Sequence, residues 1–374
     1  MDYDVIIIGA GTAGMSAGYY LSERGQKVAL IDAYDPPHSE GAHHGDTRII
    51  RHAYGEGANY VSMALRASEL WADLEEKANR KIFYNTGVLN IGTRDSDFLN
   101  NVIHTAEEFS LPVKIFSASE VNAKWRGFQL DDHLLGCFES GSGVLLSEEA
   151  IRAYRELALH HGATLYWNTM AEKIEVTEAN VKVSFNGEHI TGKNLLITTG
   201  KGTNKVLSLL DVELPLTPTR KTFSWFDSSE DLYHPGVFPA WSYDDGKQTL
   251  YGFPSIEQAG LKIGRHDGGI PVNPENELEG FGTHPEDKND VMNFVNKHFS
   301  EPGNHKSGKV CTYTNSPDGD FIIDRLPRYS NIVVASGFSG HGFKFGSVFG
   351  EILSQMIVDG SPELDISSFS LARF

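Results

Sequence analysis

Residues 3–32 read YDVIIIGAGTAGMSAGYYLSERGQKVALID, and this stretch decides the fold. Tyr3 to Ile8 is a short apolar run rich in β-branched residues, which is typical of a buried parallel strand. A G-x-G-x-x-G follows, then a run of helix formers that ends at Gly25. Lys27 to Ile31 is a second apolar strand, closed by Asp32. The order predicts one βαβ unit at the start of the chain.

The glycines of this motif have separate physical roles. Gly9 permits the tight turn, Gly11 lets a pyrophosphate approach the backbone, and Gly14 lets the helix pack on the strand. The helix N-terminus supplies partial positive charge. Asp32 follows the third glycine by 18 positions and can accept hydrogen bonds from ribose hydroxyls. A glycine-rich turn that holds no nucleotide is the alternative, but the strand, helix, second strand and acid together favour a dinucleotide.

The composition narrows the function further. The chain has 374 residues, which predicts two or three domains, and a formal net charge of −18, which disfavours nucleic acid and anionic membranes as partners. Two distant cysteines, Cys137 and Cys311, exclude a disulfide scaffold and favour a reducing compartment. His43 and His44 are adjacent and point in different directions, so no metal site is predicted. With no targeting segment or membrane span, a cytoplasmic protein is expected.

The rest of the chain contains further strands and helices of the nucleotide-binding type and one long stretch that is typical of an antiparallel sheet. Helices are predicted over 60–78 and from an N-cap at Ser147 to about 161, and a hairpin over 181–191 precedes a separate buried strand at 195–198. Between 217 and 314 aromatic and polar residues interleave, which indicates an antiparallel sheet. A buried strand at 332–335 leads into a second glycine-rich loop, 336–344, and a C-terminal helix. Two such loops could hold adenylate and a ring system at opposite ends of one cofactor, which favours FAD over NAD.

The predicted fold class is α/β, or α+β overall, with a Rossmann-like FAD-binding domain into which a mixed or antiparallel-sheet substrate domain is inserted. The FAD-binding domain is discontinuous and comprises 1–85, 147–216 and 318–374. The substrate and catalytic domain comprises 86–146 and 217–317.

Several longer motifs carry a resemblance to a known family. They are DAYDPPHSEGAHHGDTRIIRHAYGEG (32–57), YGFPS (251–255), LKIGRHDGG (261–269), VCTYT (310–314), DFIID (320–324) and GFSGHGFKF (337–345). Over essentially its full length the chain resembles the monomeric sarcosine oxidase and N-methyltryptophan oxidase group, within the glutathione-reductase-type FAD oxidoreductases.

The resemblance implies an FAD-dependent amine oxidase. A secondary N-methyl amino acid is oxidised, the imine hydrolyses to formaldehyde and the amino acid, and dioxygen becomes hydrogen peroxide. It also implies FAD attached covalently through the Cys311 thioether, and a monomer whose partners are the small substrate and O2. The residues alone would have left Cys311 as a small buried hydrophobe.

The resemblance further assigns roles to single residues. Arg51 and Lys344 match a clamp for the substrate carboxylate, Lys262 matches the oxygen-activating lysine, and Arg48 matches a basic residue beside the flavin ring. The catalytic set is Lys262, His266, Arg48, Tyr251 and Tyr313. The expected substrate-binding residues are Arg51, Lys344, Tyr251, His266 and Trp241. The expected cofactor-binding residues are Gly9, Gly11, Thr12, Ala13, Gly14, Asp32, His44, Thr47, Arg48, Ala171, Gly200, Cys311, Phe338, Gly340, Gly342 and Lys344.

The substrate stays open at this point. FPAW (238–241) and LKIGRHDGG are closer to the N-methyltryptophan branch, whereas RIIRHAYGEG (48–57) and GVLLSEEAIRAYREL (143–157) are closer to the sarcosine branch, and sarcosine is favoured. Trp241 and the small Ser242 are both expected to line the pocket. An FAD dehydrogenase with another electron acceptor and a non-catalytic flavin or nucleotide sensor are the rival functions.

Overall fold

A computed structural model describes all 374 residues of the chain, with twenty strands and nine α-helices. The strands are β1 (Tyr3–Ile8), β2 (Val28–Ile31), β3 (Thr47–Ile50), β4 (Phe83–Tyr84), β5 (Val88–Thr93), β6 (Val113–Ser117), β7 (Leu134–Glu139), β8 (Gly143–Leu146), β9 (Thr164–Tyr166), β10 (Lys173–Val176), β11 (Val181–Phe185), β12 (Glu188–Ile197), β13 (Thr217–Phe226), β14 (Ala240–Asp244), β15 (Thr249–Phe253), β16 (Leu261–Arg265), β17 (Ile270–Pro271), β18 (His305–Asn315), β19 (Ile322–Arg325) and β20 (Ile332–Ser336). The helices are α1 (Thr12–Glu23), α2 (Val61–Ala78), α3 (Asp97–Glu108), α4 (Ala118–Lys124), α5 (Ser147–His160), α6 (Thr203–Leu207), α7 (Glu230–Tyr233), α8 (Glu286–His298) and α9 (Gly346–Val358).

The first sheet contains the βαβ unit predicted from residues 3–32. Its parallel strands lie in the order β20, β12, β1, β2, β9, with β19 antiparallel at one edge and β10 and β11 forming a hairpin on β12. The residues of β1 from Val5 to Ile8 are buried, because helices α1, α5 and α9 cover one face of the sheet, while β10, β11 and the segment 207–214 cover the other. The mixed α/β fold with a Rossmann-like nucleotide unit is confirmed.

Helices α1 and α9, from opposite ends of the chain, pack closely together. A Cβ at Gly350 would lie 2.6 Å from the Tyr20 ring, and one at Gly346 would lie 2.4 Å from the Thr12 methyl. The Ser16 hydroxyl donates to the Gly346 carbonyl at 2.7 Å. Glycine on one helix therefore brings the N-termini of both helices to the same end of the first sheet.

The second sheet has nine strands and carries most of the candidate site. Eight lie in the order β17, β13, β16, β15, β14, β5, β7, β6, and β18 pairs with β13. All pairings are antiparallel except that of β5 with β14, so the sheet is mixed. Helix α8 packs against one face through a cluster that includes Trp241, Tyr243, Phe294 and Phe299. The other face is free to line a site.

Two local predictions are wrong. The hairpin strand and the buried strand predicted at 188–191 and 195–198 are one strand, β12, which pairs with β11 through its first half and with β20 through its second. Ser147 is the first residue of α5 and not its N-cap, which is Leu146. The Ser147 hydroxyl instead donates to the His43 carbonyl at 2.7 Å.

The domain boundaries stay a prediction. The small sheet β3–β8–β4 pairs strands from both predicted domains, because Arg48 in β3 lies opposite Leu145 in β8. None of the helices has the length and apolar content needed to cross a bilayer.

Candidate active site

The first glycine-rich turn leaves no room for side chains at its ends. Gly9 has φ +95°, and a Cβ there would lie 2.6 Å from the Thr198 carbonyl oxygen. A Cβ at Gly14 would lie 1.8 Å from the Gly9 carbonyl oxygen. At Gly11, the N-cap of α1, a Cβ would meet only the His43 ring at 3.9 Å. The backbone at Gly11 is therefore open to a ligand, while Gly9 and Gly14 are needed for the turn.

The N-terminus of α1 suits an anion. No side chain caps it and its first turn, which begins with Thr12 and Ala13, contains no acidic residue, so its N–H groups and positive dipole end are not neutralised. Asp32 closes the other side: its Oδ2 accepts from the Ala10 N–H at 2.7 Å and its Oδ1 from the Tyr34 N–H at 2.9 Å. These residues fit the pyrophosphate and ribose of a dinucleotide.

Two further residues expected at the cofactor lie near the ends of these strands. Gly200 follows β12 with φ +53° and has open space where a side chain would be. Ala171 is half-buried against the cluster on the outer face of the first sheet, close to Thr169, whose N–H donates to the Asp32 carbonyl at 2.8 Å. Both are at the carboxyl ends of parallel strands, where nucleotides bind in such sheets.

The second glycine-rich loop, 337–342, contacts the second sheet. A Cβ at Gly340, which has φ +78°, would lie 2.2 Å from the Tyr313 ring, and one at Gly342 would lie 2.5 Å from the Phe338 Cβ. The Ser339 N–H donates to the Thr314 carbonyl at 3.0 Å. The loop thus joins β18 to the first turn of α9.

The strand register gathers the catalytic candidates on the free face of the second sheet. Because side chains alternate between faces, Gly264 and Lys262 in β16 lie on the same side, opposite Tyr251 and Phe253 in β15. Lys221 in β13 pairs with Cys311 in β18, and Tyr313 follows two residues later on the same face. The polar and sulfur-containing side chains on this face include Asn90, Lys221, Ser242, Tyr251, Lys262, Cys311 and Tyr313, with His266 just beyond β16.

Trp241 does not belong to this set, so its expected role in binding substrate is wrong. Its side chain lies on the other face of β14, where its ring centroid is 5.6 Å from that of Phe294 and 5.2 Å from that of Phe299. It is fully buried in the cluster under α8. The period of two in a strand leaves Ser242, its neighbour, as the residue that faces the site.

Lys262 is a buried cation without a carboxylate partner. It is 2% exposed, and its Nζ donates to the carbonyl of Gly45 and to the Thr47 hydroxyl at 3.1 Å. The Nζ also lies 4.7 Å from the Phe223 ring centroid and 4.8 Å from that of Phe253. Burial, and then the charge of Arg48, hold the pKa of Lys262 well below its usual value. A cavity of about 140 Å³ adjoins it, lined by Asp46, Thr47, Leu146, Trp225, Phe253, Pro254, Ile256, Glu257, Ala259, Gly260 and Lys262.

Arg48 is held by backbone carbonyls instead of by an acid. Its guanidinium donates to the carbonyls of Ala42 and His44 at 2.6 Å each and to that of Thr47 at 2.7 Å. The His44 ring in turn lies 3.3 Å from the carboxylate of Glu148. A fixed guanidinium with an unneutralised charge can stabilise negative charge on a bound ring system.

Arg51 and Lys344 come together around one carboxylate. Arg51 is 6% exposed, and its Nη2 donates to both oxygens of Glu56, at 2.6 and 2.8 Å. The Lys344 Nζ donates to the Tyr54 hydroxyl at 3.0 Å, and the Arg51 guanidinium stacks 4.9 Å from the same ring. Burial, and then Arg51, lower the pKa of Lys344 to about 7. Burial alone would raise the pKa of Glu56, but Arg51, His341 and Lys344 bring it to about 2.

Neutral rings surround this cluster. Burial lowers the pKa of His266 to about 4 and that of His341 to about 3. Burial, and then Cys311, raise the pKa of Tyr251 to about 12. The His266 and Tyr313 ring centroids are 5.5 Å apart. At neutral pH these groups add no charge, so Arg51, Lys344 and Glu56 set the local electrostatics.

The family described as FAD dependent oxidoreductase (DAO) matches residues 4–356 of the chain. The chain belongs to the DAO family of FAD-dependent oxidoreductases. The cradle at Gly9–Gly14 and Asp32 is where this FAD enzyme would hold the adenylate end of its cofactor.

Two related proteins and one solved structure are similar to this chain over nearly its full length. The chain is 46% identical over 375 residues to a monomeric sarcosine oxidase from Arthrobacter sp. (strain TE1826), covering 100% of this chain and 96% of that protein. It is 39% identical over 375 residues to an N-methyl-L-tryptophan oxidase from Yersinia pestis (strain Pestoides F), covering 100% of both. An L-proline dehydrogenase from P. horikoshii shares its fold, with a TM-score of 0.85 and 19% identity over 99% of this chain and 97% of that one.

Sequence reasoning missed three residues that touch this cluster in the FAD enzyme. Tyr54 and His341 lie inside the motifs used above, which is the signal that could have marked them, and the structure joins them through a 2.9 Å contact between the Tyr54 hydroxyl and the His341 Nδ1. Asn90 had no sequence signal: its Oδ1 accepts from Ser242 at 2.7 Å and from Arg51 at 3.3 Å. Only the pairing of β5 with β14 brings Asn90 to the site.

Proposed function

We propose that this chain oxidises a secondary N-methyl amino acid, sarcosine first, to the primary amino acid, formaldehyde and hydrogen peroxide. The observation that carries the proposal is the cluster of two buried cations, Arg51 and Lys344, around the single carboxylate of Glu56. A substrate carboxylate that replaced Glu56 would meet Arg51 directly and would favour the protonated form of Lys344, whose pKa is about 7. The 46% identity to a monomeric sarcosine oxidase supports the same substrate class.

In this proposal the substrate carboxylate takes the place of Glu56 in front of Arg51, whose planar guanidinium can bind it with two parallel hydrogen bonds. Lys344 adds a second contact, and an anion beside it favours its charged form. The amine then lies toward His266 and Tyr251. Because both rings are neutral and half-buried, they favour the neutral amine, whose lone pair must be free for the oxidation.

When bound, FAD would supply the two-electron oxidation, with dioxygen as the final electron acceptor. The substrate thereby loses two electrons and two protons, and water adds to the resulting C=N bond to release formaldehyde. We assign Lys262 to the oxygen half of the reaction because its buried ammonium group has no carboxylate partner and adjoins a cavity lined by both apolar and polar residues. Negative charge that develops as dioxygen is reduced would favour the protonated form of Lys262 in spite of its lowered pKa, and that positive charge would in turn stabilise the developing anion.

N-methyl-L-tryptophan is the second candidate substrate. The observation that favours it is Ser242, a small side chain on the site face where the larger Trp241 points away into the core. In this second candidate the small Ser242 side chain, and no aromatic ring, would face the larger side chain of the substrate.

A peroxide-coupled screen tests the proposal. With sarcosine, N-methyl-L-tryptophan and L-proline as substrates, we expect peroxide formation and the highest kcat/KM for sarcosine. A higher kcat/KM for N-methyl-L-tryptophan would instead support the second candidate. Anaerobic addition of sarcosine should bleach the flavin absorbance. Bleaching without peroxide in air would indicate a dehydrogenase, and no bleaching with any substrate would indicate a sensor.

Covalent attachment of FAD through Cys311 is part of the proposal. The thiol is buried between β13 and β18, and burial raises its pKa, whereas the charges of Arg48, Lys262 and Lys221 lower it. The Cys311 sulfur would form a thioether with the flavin 8α carbon, releasing two electrons and two protons that dioxygen can accept. Burial is the larger effect, so the pKa of Cys311 lies above its usual value, and the nearby cations reduce that rise in favour of the thiolate that such a bond requires.

We expect Cys311→Ser to convert a bound flavin into a releasable one. Acid precipitation of the native protein should give a yellow pellet, and precipitation of Cys311→Ser a yellow supernatant. Cys137→Ala is the matched control, because Cys137 lies in a different cluster with Ala53 and Leu99, and its pellet should stay yellow. A colourless pellet from the native protein would refute the thioether.

The enzyme is further proposed to act as a cytoplasmic monomer. Two buried free thiols suit a reducing compartment, and the Arthrobacter relative is named monomeric.

A further inference from the structure

The ammonium group of Lys221, on the site face of β13, donates all its hydrogen bonds to one short segment, residues 266–268. It is 4% exposed, and its Nζ donates to the carbonyl oxygens of His266 at 2.8 Å, Asp267 at 2.5 Å and Gly268 at 3.1 Å. An ammonium group has three N–H donors and no acceptor, so three carbonyls saturate it. The segment 266–268 is therefore folded around a single cation.

The segment is built for this close approach. Gly268 and Gly269 have φ of +65° and +98°, and a Cβ at Gly269 would lie 2.7 Å from the Arg220 carbonyl oxygen and 2.8 Å from the Lys221 Cδ. Residues with side chains rarely adopt this backbone conformation, so the glycines let the chain turn over the lysine stem.

The opposite side of the segment is fixed by Thr249 at the start of β15. The Thr249 N–H donates to the Asp267 carboxylate at 2.7 Å, and the His266 N–H donates to the Thr249 carbonyl at 2.7 Å. His266 is thus held by its N–H on one side and by its carbonyl on the other.

We propose that Lys221 is a positioning residue that sets the His266 ring, and with it the amine subsite, for the reaction proposed above. The chain links them directly: Lys221 holds the His266 carbonyl, and its Nζ lies 5.4 Å from the centroid of the Tyr313 ring, which borders the His266 ring. Without Lys221 three carbonyl oxygens of a partly buried segment would lose their shared donor, and the segment would move to find other partners. The inference rests on the proposed function only for the identity of the substrate.

The clamp itself can be tested without activity. Hydrogen–deuterium exchange of peptides covering 266–269 should be at least tenfold faster in Lys221→Met than in the native holoenzyme. Lys221→Gln keeps up to two N–H donors and should fall between the two, and it replaces the methionine variant if that one does not fold. Lys247→Met removes an exposed lysine from the β14–β15 hairpin of the same sheet and should change nothing. Unchanged exchange in Lys221→Met and Lys221→Gln would overturn the clamp.

The link to His266 is tested by a double-mutant cycle. Lys221→Met should raise KM for the preferred N-methyl amino acid about tenfold, yet leave inhibition by acetate, which needs only Arg51 and Lys344, within twofold. In a His266→Ala background the same substitution should change kcat/KM by less than twofold. Multiplicative effects of the two substitutions would overturn positioning through His266. A native enzyme that oxidises none of the N-methyl amino acids would refute the proposed function instead, and the exchange experiment would still decide the clamp.

Discussion

Lys262→Met should slow the reaction of the reduced enzyme with dioxygen by roughly 10²–10³-fold, the usual effect of removing one preorganised group that stabilises developing charge. Reduction of the enzyme by sarcosine under anaerobic conditions should change by less than about threefold, because Lys262 does not contact the cluster of Arg51, Glu56 and Lys344. Methionine keeps the length of the stem between the Phe223 and Phe253 rings, so the site loses charge and little volume. Stopped-flow absorbance of the two half-reactions measures both effects.

Lys309→Met is the matched control for this substitution. Lys309 lies on β18, which is separated from β16 by β13, with its Nζ 5.3 Å from the Trp225 ring. The Lys262 Nζ lies 5.4 Å from the same ring, but Lys309 is exposed. An exposed cation is screened by water, so its loss should leave both half-reactions unchanged. Equal and small effects of Lys262→Met and Lys309→Met would mean that dioxygen is activated elsewhere.

The parts of the fold that sequence predicted well are those determined locally. The βαβ unit at 3–32 follows from apolar runs, glycines and one acid, and the structure has β1, α1 and β2 at those places. Strand β12 was predicted as two pieces because its buried half and its exposed half differ in composition. The composition changes because β12 pairs with β11 in its first half and with β20 in its second. The sequence of a strand does not record which strand pairs with it.

The residues of the site likewise fall into two groups, those that a local motif predicts and those that only packing and strand register bring together. Arg51 and Glu56 are five residues apart, so their ion pair could be suspected from one motif. Trp241 was misplaced because only the packing of α8 decides which face of β14 is core. The clamp of Lys221 on residues 266–268 joins segments 45 to 47 positions apart and depends on the register of β13 against β16, which no motif records.

Arg51→Met should lower kcat/KM for sarcosine by roughly 30- to 1,000-fold, equivalent to about 2–4 kcal/mol, the usual cost of truncating one partner of a buried charge pair. Most of the loss should be in KM, because the guanidinium binds the carboxylate equally before and during the oxidation. Arg51→Lys should not restore it, since a lysine cannot make two parallel hydrogen bonds to one carboxylate. Steady-state kinetics by peroxide detection and titration with acetate give both quantities.

Glu56→Gln should have the opposite effect to Arg51→Met on the affinity for acetate. The Arg51 guanidinium donates to both oxygens of the Glu56 carboxylate, at 2.6 and 2.8 Å. Because the pKa of Glu56 is low, it is an anion at neutral pH and competes with acetate for Arg51. Removing its charge should therefore tighten acetate binding, while Arg94→Met, which removes an exposed arginine just after β5, should leave acetate binding and kcat/KM unchanged. If Arg51→Met weakened neither acetate nor sarcosine binding, the cluster at Glu56 would be a structural ion pair. The substrate carboxylate would then have to bind at another cation. Arg48 is the cation on the same segment that has no acid beside it.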